Sequence, residues 1–454
     1  MSSPGDSRQG QAGLRCAQAH VRPVSSKMLR PRILIQSGSY ELDNLGDQSM
    51  VRAAIGRISE RLPGAVISVV SRSIQGLRSV APGAHAVPVE NKSEWKLVRL
   101  VYLGARKTVP SVDPFLRAHF PRLFHGLLRL KARKLINREV LRETDFMIVS
   151  GGAYFTDVFP GQAWSSLERM RAAEILGIPF ALVGQGIGPL TDPAMRHAAA
   201  ELLPRARLIA VRERETSLRL LHELGVGDEN IFVTGDDAVE EAWLRRSADP
   251  GSSIGVNLRV APYAGTSVDD ATSMRVSLRS IVAATSAELV SLPVCISESV
   301  ESSSDATVAK HILSGLGTSP GTDAVPTSVS DLIVRVSACR VVVTGSYHCA
   351  VFALSQGIPA VCVYNSEYYR IKFLGLKDLF GVGCEVISIT SEKFSDRLAA
   401  ATIEMWGHAA SLRPVLLSAA EKQIAAGRRV YDELCSIIAT EWSESRRSSG
   451  KSAA

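Results

Sequence analysis

The sequence predicts an α/β protein of two doubly wound halves, on three observations. From Arg32 onward, short apolar strands ending in glycine-bearing turns alternate with segments of helical periodicity. The rhythm breaks over Asp236 to Ser253 and restarts with IGVNLRV at Ile254. The length, 454 residues, exceeds one ordinary domain and suits two with large cores.

Residues 1–30 hold Ser, Gly, Gln and Arg without an apolar core, so they are expected to form a disordered tail; they lack the h-region of a secretory signal. The first half is assigned to 31–245. It opens with the strand RILIQSG, a turn over Asn44 to Asp47, a helix from about Gln48 with apolar spacing at Met50, Val51, Ala54, Ile55 and Ile58, and the strand AVISVVS. A basic helical insert spans 91–138, where Arg117, Arg122, Arg129, Lys131, Arg133, Lys134 and Arg138 alternate with Phe and Leu. Such a helix can lie on an anionic membrane surface, although packing on the sheet with a solvated cationic face is the plainer reading. The α/β rhythm then resumes with DFMIVSGG, PFALVGQGIGPL, RLIAVRERE and NIFVTGDD.

The second half is assigned to 254–395, followed by C-terminal helices over 396–444 and a tail over 445–454. The helical stretch Val415 to Glu444 is expected to cross back over the first half. Within the second half, Arg340 to Lys372 reads as a buried strand, a turn at Thr344 and Gly345, a helix from about His348 to Gln356, and a strand through Tyr364. His348 stands where ligands of open α/β sheets bind, outside the carboxyl ends of strands and near helix N-termini. Arg370 and Lys372, in the loop expected after that strand, could meet a phosphate or carboxylate there.

Composition narrows the partners. No apolar run reaches the ~20 residues of a membrane span, which predicts a soluble, cytoplasmic protein. Seven scattered cysteines without CxxC pairing read as reduced and buried, giving no zinc site and no disulfide framework. The net charge of +7 suits acidic ligands, but no zinc-finger, RRM or KH signature accompanies it, so no nucleic acid is expected.

Four glycine turns fall at strand carboxyl ends of the first half: Gly38 with Asn44 to Asp47, Gly151-Gly152, Gly184-Gln185-Gly186, and Gly235. GQGIGP is no dinucleotide fingerprint, since Pro189 stands where the last glycine belongs. Asn44 and Asp47 offer groups for hydroxyls or an ordinary turn and N-cap, which Asp47 suits. Arg212 ends a strand and can reach the rim, while Arg214 and Arg219 are expected to pair with Glu213 and Glu215. Asn257 and Arg259 alternate along the strand opening the second half and so share a face. Asp236-Asp237 reads as a solvated turn, and no metal or other cofactor is expected.

With these residues assembled, the chain resembles the polysaccharide pyruvyl transferase family over about residues 32 to 390. The likeness rests on Asn44, Gly46 and Asp47 after the first strand, Gly151-Gly152, GQGIGP, Val211-Arg212 with Ser217, and TGSYHCAVFALSQGIPAVCVY. The family pattern at the last motif reads R-x-H; here Ser346 replaces the arginine and His348 remains.

The resemblance implies a GT-B-like architecture, two Rossmann-like domains facing a cleft, and transfer of pyruvate from phosphoenolpyruvate to two sugar hydroxyls as a cyclic ketal. The acceptor would be a polysaccharide or a lipid-linked oligosaccharide. That chemistry needs cationic clamps, an acid for the methylene carbon and a base for the hydroxyl. On this reading His348 is the general acid or a phosphate ligand and Arg212 the anion clamp. Arg259, Arg370 or Lys372 substitutes for the arginine missing at Ser346, and Asn44 and Asp47 hold or deprotonate the acceptor. Gly152 and Gln185 line the substrate site. A GT-B glycosyltransferase using a nucleotide sugar is the alternative.

Overall fold

The structure is a computed structural model that describes residues 29–89, 120–134, 136–296, 304–316 and 324–448. Of the N-terminal tail expected over 1–30, residues 1–28 lie outside the described residues, as do residues 91–119 of the basic insert expected over 91–138.

The first half runs β1 (Arg32–Gln36), α1 (Leu45–Arg61), β2 (Val66–Val70), α2 (Ile74–Val80), β3 (His85–Val87), α3 (Pro121–Lys134), α4 (Arg138–Arg142), β4 (Phe146–Val149), β5 (Gly152–Phe155), α5 (Pro160–Ile175), β6 (Phe180–Ile187), α6 (Pro193–Leu202), β7 (Ile209–Val211), α7 (Ser217–Glu223), β8 (Ile231–Val233) and α8 (Val239–Leu244). The second runs β9 (Ser253–Asn257), α9 (Val268–Thr285), β10 (Leu289–Ser291), α10 (Asp305–Leu313), α11 (Val329–Ser337), β11 (Cys339–Thr344), α12 (Tyr347–Ser355), β12 (Ala360–Tyr364), α13 (Glu367–Phe380), β13 (Cys384–Ser388) and α14 (Phe394–Ser448).

The first sheet has the order β3-β2-β1-β4-β6-β7-β8, with β5 pairing to β6, and the second β10-β9-β11-β12-β13. Strand order reverses between β1 and β4 in one sheet and between β9 and β11 in the other. Such reversals open a crevice at the carboxyl ends of the strands. The architecture is the GT-B-like pair of Rossmann-like units.

Why these segments are parallel strands is visible in their burial. Ile33 and Ile35 of β1 enter the cluster beneath α1, whereas Leu34 enters the one beneath α5, so both faces are covered. The same alternation puts Ile254 and Val256 under α9 while Val342 joins the core around α12. All six cysteines among the described residues are free and buried.

The C-terminal segment differs from the expected helices and tail. It is one 55-residue helix that continues through Pro414 to Ser448. Its buried face serves both halves: Leu416 and Ala420 pack on the second half, then Val430, Tyr431, Leu434 and Ile438 on the first. Arg446 and Arg447 in the last turn complement the helix dipole, which carries the helix into the stretch read as a tail.

Candidate active site

β11 delivers its carboxyl end at the strand-order reversal of the second sheet. There Gly345 N–H donates to the Asn257 carbonyl (2.9 Å) and Ser346 N–H to Thr344 Oγ1 (2.9 Å), turning the chain sharply into α12. Ser346 is the N-cap residue of α12, but its side chain makes no capping hydrogen bond to the first N–H groups of this helix. His348 projects from that first turn.

Opposite stands the N-terminus of α1. Asn44, not Asp47, is its N-cap, with Oδ1 accepting from Gly46 N–H (2.9 Å) and Asp47 N–H (3.3 Å). The helix accordingly starts at Leu45 rather than near Gln48. The turn is stitched to the second half by Leu45 N–H to Val294 O (3.0 Å) and Ile296 N–H to Asp43 O (3.2 Å). A Cβ on Gly46 would lie 2.0 Å from His348 Cγ, so only glycine lets the imidazole rest on this turn.

A buried charged cluster fills the space between the halves. Arg212 Nη1 donates to Asp236 Oδ2 at 2.8 Å, and its guanidinium lies 4.4 Å from the centroid of the Tyr347 ring. Asp236 Oδ2 stands 3.8 Å from His348 Nε2, and that nitrogen has no hydrogen-bond partner among the described residues. Lys372 Nζ donates to Tyr368 Oη (3.2 Å) and sits 4.5 Å from the Tyr347 centroid. Arg212, Lys372, Tyr347 and Tyr368, with Ala153 and Gly186, help to line a cavity of about 20 Å³, room for a water molecule. Glycine at 186 leaves room for Arg212, whose Nε would be 3.0 Å from a Cβ there.

Burial sets the protonation states. Asp47 is pushed up to about 6 by desolvation, partly countered by Lys372 and Arg212. Desolvation pulls His348 down to about 3, with Asp236 opposing and Arg212 and Lys372 assisting, so its imidazole is neutral at pH 7. Lys372 falls well below its ordinary value, chiefly through burial and then through Arg212. For Asp236 burial works against the charge, but His348, Arg212 and the Ala238 N–H overcome it and hold the carboxyl low.

The cleft thus gathers Asn44, Asp47, Arg212, Ser346, His348 and Lys372. The other expected residues do different work. Gln185 is buried and braces the reversal of the first sheet, donating to Val149 O (3.0 Å) and Ser150 O (2.6 Å). Gly152 belongs to β5, paired in register with Gln185 beneath the Tyr154 ring. Arg259 follows the end of β9 rather than lying on the strand; it is held by Asp305 (3.3 Å) and donates to Tyr263 Oη (2.8 Å). Arg370 and Lys372 lie on helix α13 instead of a loop. Two residues apart on a helix is about 200° of rotation, so Lys372 turns inward while Arg370 faces out and pairs with Glu367 (2.6 Å).

Asp236 and Asp237 correct the expectation of a solvated turn. Both are at most 4 % exposed. Buried carboxylates persist only with partners, and here Arg212 takes Asp236 while Arg57 (2.6 Å) and Tyr431 Oη (2.9 Å) take Asp237. Arg214 and Arg219 likewise pair with Asp378 and Glu223, not with Glu213 and Glu215, because the Glu213 carboxylate turns back to accept from the Thr216 and Ser217 N–H groups. The signal for Asp236 was present in the TGDD turn at a strand end on the same rim as Arg212. No set of three His, Cys, Asp or Glu among the described residues could hold a metal ion.

Comparisons with known proteins bear on the family and the fold. A sequence model of a family described as polysaccharide pyruvyl transferase matches residues 44–367. No curated protein gives a significant match. Solved structures similar in fold include a UDP-GlcNAc 2-epimerase from Neisseria meningitidis bound to UDP-GlcNAc, at TM-score 0.54 and 10% identity over 88% of this chain and 99% of that one. The glycotransferase of kitacinnamycin gives 0.54 and 15% over 89% and 98%, and a glycosyltransferase from Rickettsia africae gives 0.51 and 11% over 90% and 98%. At these identities the likeness is one of fold.

Proposed function

The chain belongs to the polysaccharide pyruvyl transferase family and is a transferase, and we propose that it moves pyruvate from phosphoenolpyruvate onto two hydroxyls of a sugar, in a polysaccharide or its lipid-linked precursor, as a cyclic ketal. The observation that carries the reading is the meeting of Arg212, Lys372 and the uncapped N-terminus of α12 around His348 in one buried cleft. A donor with both a carboxylate and a phosphate needs several anion-binding groups at once.

Lys372 takes the part of the arginine absent at Ser346. Arg259 is committed to Asp305, and Arg370 faces solvent. The roles of acid and base follow from protonation. A carboxyl poised near 6 carries a proton often enough to give it to the methylene carbon, so Asp47 acts as general acid. His348, neutral and with Nε2 unpartnered among the described residues, acts as base, where the sequence reading has it as general acid or phosphate ligand.

In the first step the methylene carbon gains the Asp47 proton. The first hydroxyl oxygen bonds to C2 and its proton passes to His348. In the second step the C2–O bond to phosphate breaks, Arg212 and Lys372 accept the departing charge, and the second hydroxyl closes the ketal. One hydroxyl proton in effect ends on the new methyl group, and the other leaves with inorganic phosphate.

The test is incubation with phosphoenolpyruvate and oligosaccharide acceptors, reading phosphate release and a ketal methyl signal by NMR. Lys372→Ala and His348→Ala are expected to lower turnover by about 100-fold or more. Turnover of a nucleotide sugar with no consumption of phosphoenolpyruvate would replace this reading with a glycosyltransferase.

A further inference from the structure

Helix α3 stands apart from the cleft, and its chemistry is unused by pyruvyl transfer. Its sequence, PRLFHGLLRLKARK, carries five cations (Arg122, Arg129, Lys131, Arg133, Lys134) and no acid. One face docks on α5. His125 is buried there and accepts from Trp164 Nε1 (3.0 Å), while Arg129 and Arg133 reach the Glu168 carboxylate at 2.5 and 2.7 Å. This face is the ordinary one, an ion-paired contact between two helices.

The outward face is not cationic throughout. Leu123, Leu127 and Leu130, at spacing i, i+4 and i+7, form a stripe on the side away from His125. They are 55%, 42% and 54% exposed. At 100° per residue the stripe centres near the direction of Leu123, with Arg122 along one border and Lys131 along the other. Both of these cations are exposed. An apolar stripe bordered by cations on both sides, held by its opposite face to a folded body, complements the boundary between acyl chains and anionic headgroups. A protein partner offering only acidic residues would match the borders and leave the leucines in water.

We infer that α3 is a membrane-docking helix, lying in the plane of an anionic bilayer with Leu123, Leu127 and Leu130 among the acyl chains. The attachment is peripheral, since no described helix is long and apolar enough to cross a membrane. It rests on α3 alone and stands whether or not the donor is phosphoenolpyruvate.

Flotation of the full chain with phosphatidylcholine vesicles containing about 30% phosphatidylglycerol tests it. Recovery with the vesicles is expected, at least 10-fold above that with phosphatidylcholine alone, falling as salt is raised from about 0.05 to 0.5 M. Arg122→Gln should weaken partitioning about 5-fold, the effect of one cation at such a surface. Leu127→Glu with Leu130→Glu should abolish it while leaving circular dichroism and catalytic turnover unchanged, because both side chains are half in solvent. Equal recovery with neutral vesicles, no recovery at low salt, or full recovery of the folded double variant would overturn the inference. So would a wild-type dimer in sedimentation velocity that the double variant dissociates, which would assign the stripe to a second copy of this chain.

Discussion

Replacing Gly46 with alanine tests how tightly the two halves define the site. The added methyl would stand 2.0 Å from His348 Cγ and 2.1 Å from Nδ1. Ordinary carbon contacts begin near 3.5 Å, so ring and turn must separate by about 1.5 Å. The ring cannot simply swing aside: His348 is 7% exposed and packed between Tyr347 and Phe352, whose ring centroids lie 5.3 and 6.4 Å away. Such overpacking costs about 1–3 kcal/mol. A shift of about 1 Å in a catalytic group costs about 100-fold in rate. We therefore expect kcat/KM for phosphate release to fall about 100-fold and the urea midpoint to fall with it. Gly56→Ala on the same helix is the control. Nothing lies within 4 Å of its Cβ position, and the substitution should add about 0.5–1 kcal/mol of stability with activity intact. A Gly46→Ala protein with native activity and stability would refute the contact between α1 and His348.

Three further outcomes follow from the charged cluster. Asp47, raised from 3.8 to about 6, holds a proton in the folded state that the unfolded chain has lost, so its contribution to stability is present below about pH 4 and disappears as pH rises through 6. Asp47→Asn should thus gain up to about 3 kcal/mol over the native protein between pH 4 and 7 in urea titrations, while losing turnover. Removing Arg212 strands Asp236 without its partner, so Arg212→Ala should cost about 3–5 kcal/mol, and adding Asp236→Asn should recover much of it. Arg370→Ala, at an exposed pair, should leave kcat/KM within about 2-fold of the native value and shift stability by under about 1 kcal/mol.

Most of the fold was legible because its signals are local. Short apolar strands, several of them closed by glycine, recur at α/β spacing, and β1 or β11 can be read from Ile33 to Ile35 or Val341 to Val343 alone. The candidate site was legible where a residue stands at a strand end, as with His348, Arg212 and the Asn44 to Asp47 turn, which the structure brings together. It was not legible where function depends on which way a side chain turns. Lys372 and Arg370 look equivalent in a presumed loop, and only the helix separates them. Asp236 and Asp237 look like solvent-seeking acids, since their partners Arg212 and Arg57 are distant in sequence. Gln185 and Arg259 carry the right groups, yet the backbone carbonyls of Val149 and Ser150 and the carboxylate of Asp305 claim them.

Helix α14 has a consequence for how the molecule is made. Val430, Tyr431, Leu434, Cys435 and Ile438 complete the core over Ile33, Ile35, Val69 and Ile148, so strands of the first half are roofed by residues that follow the whole second half in sequence. Domains ordinarily fold in turn as they leave the ribosome. Here the first sheet must wait, one apolar face uncovered, until the second half and the residues to 438 have been made, and a chain stopped before residue 430 would release a first half that has strands and helices but no finished interior.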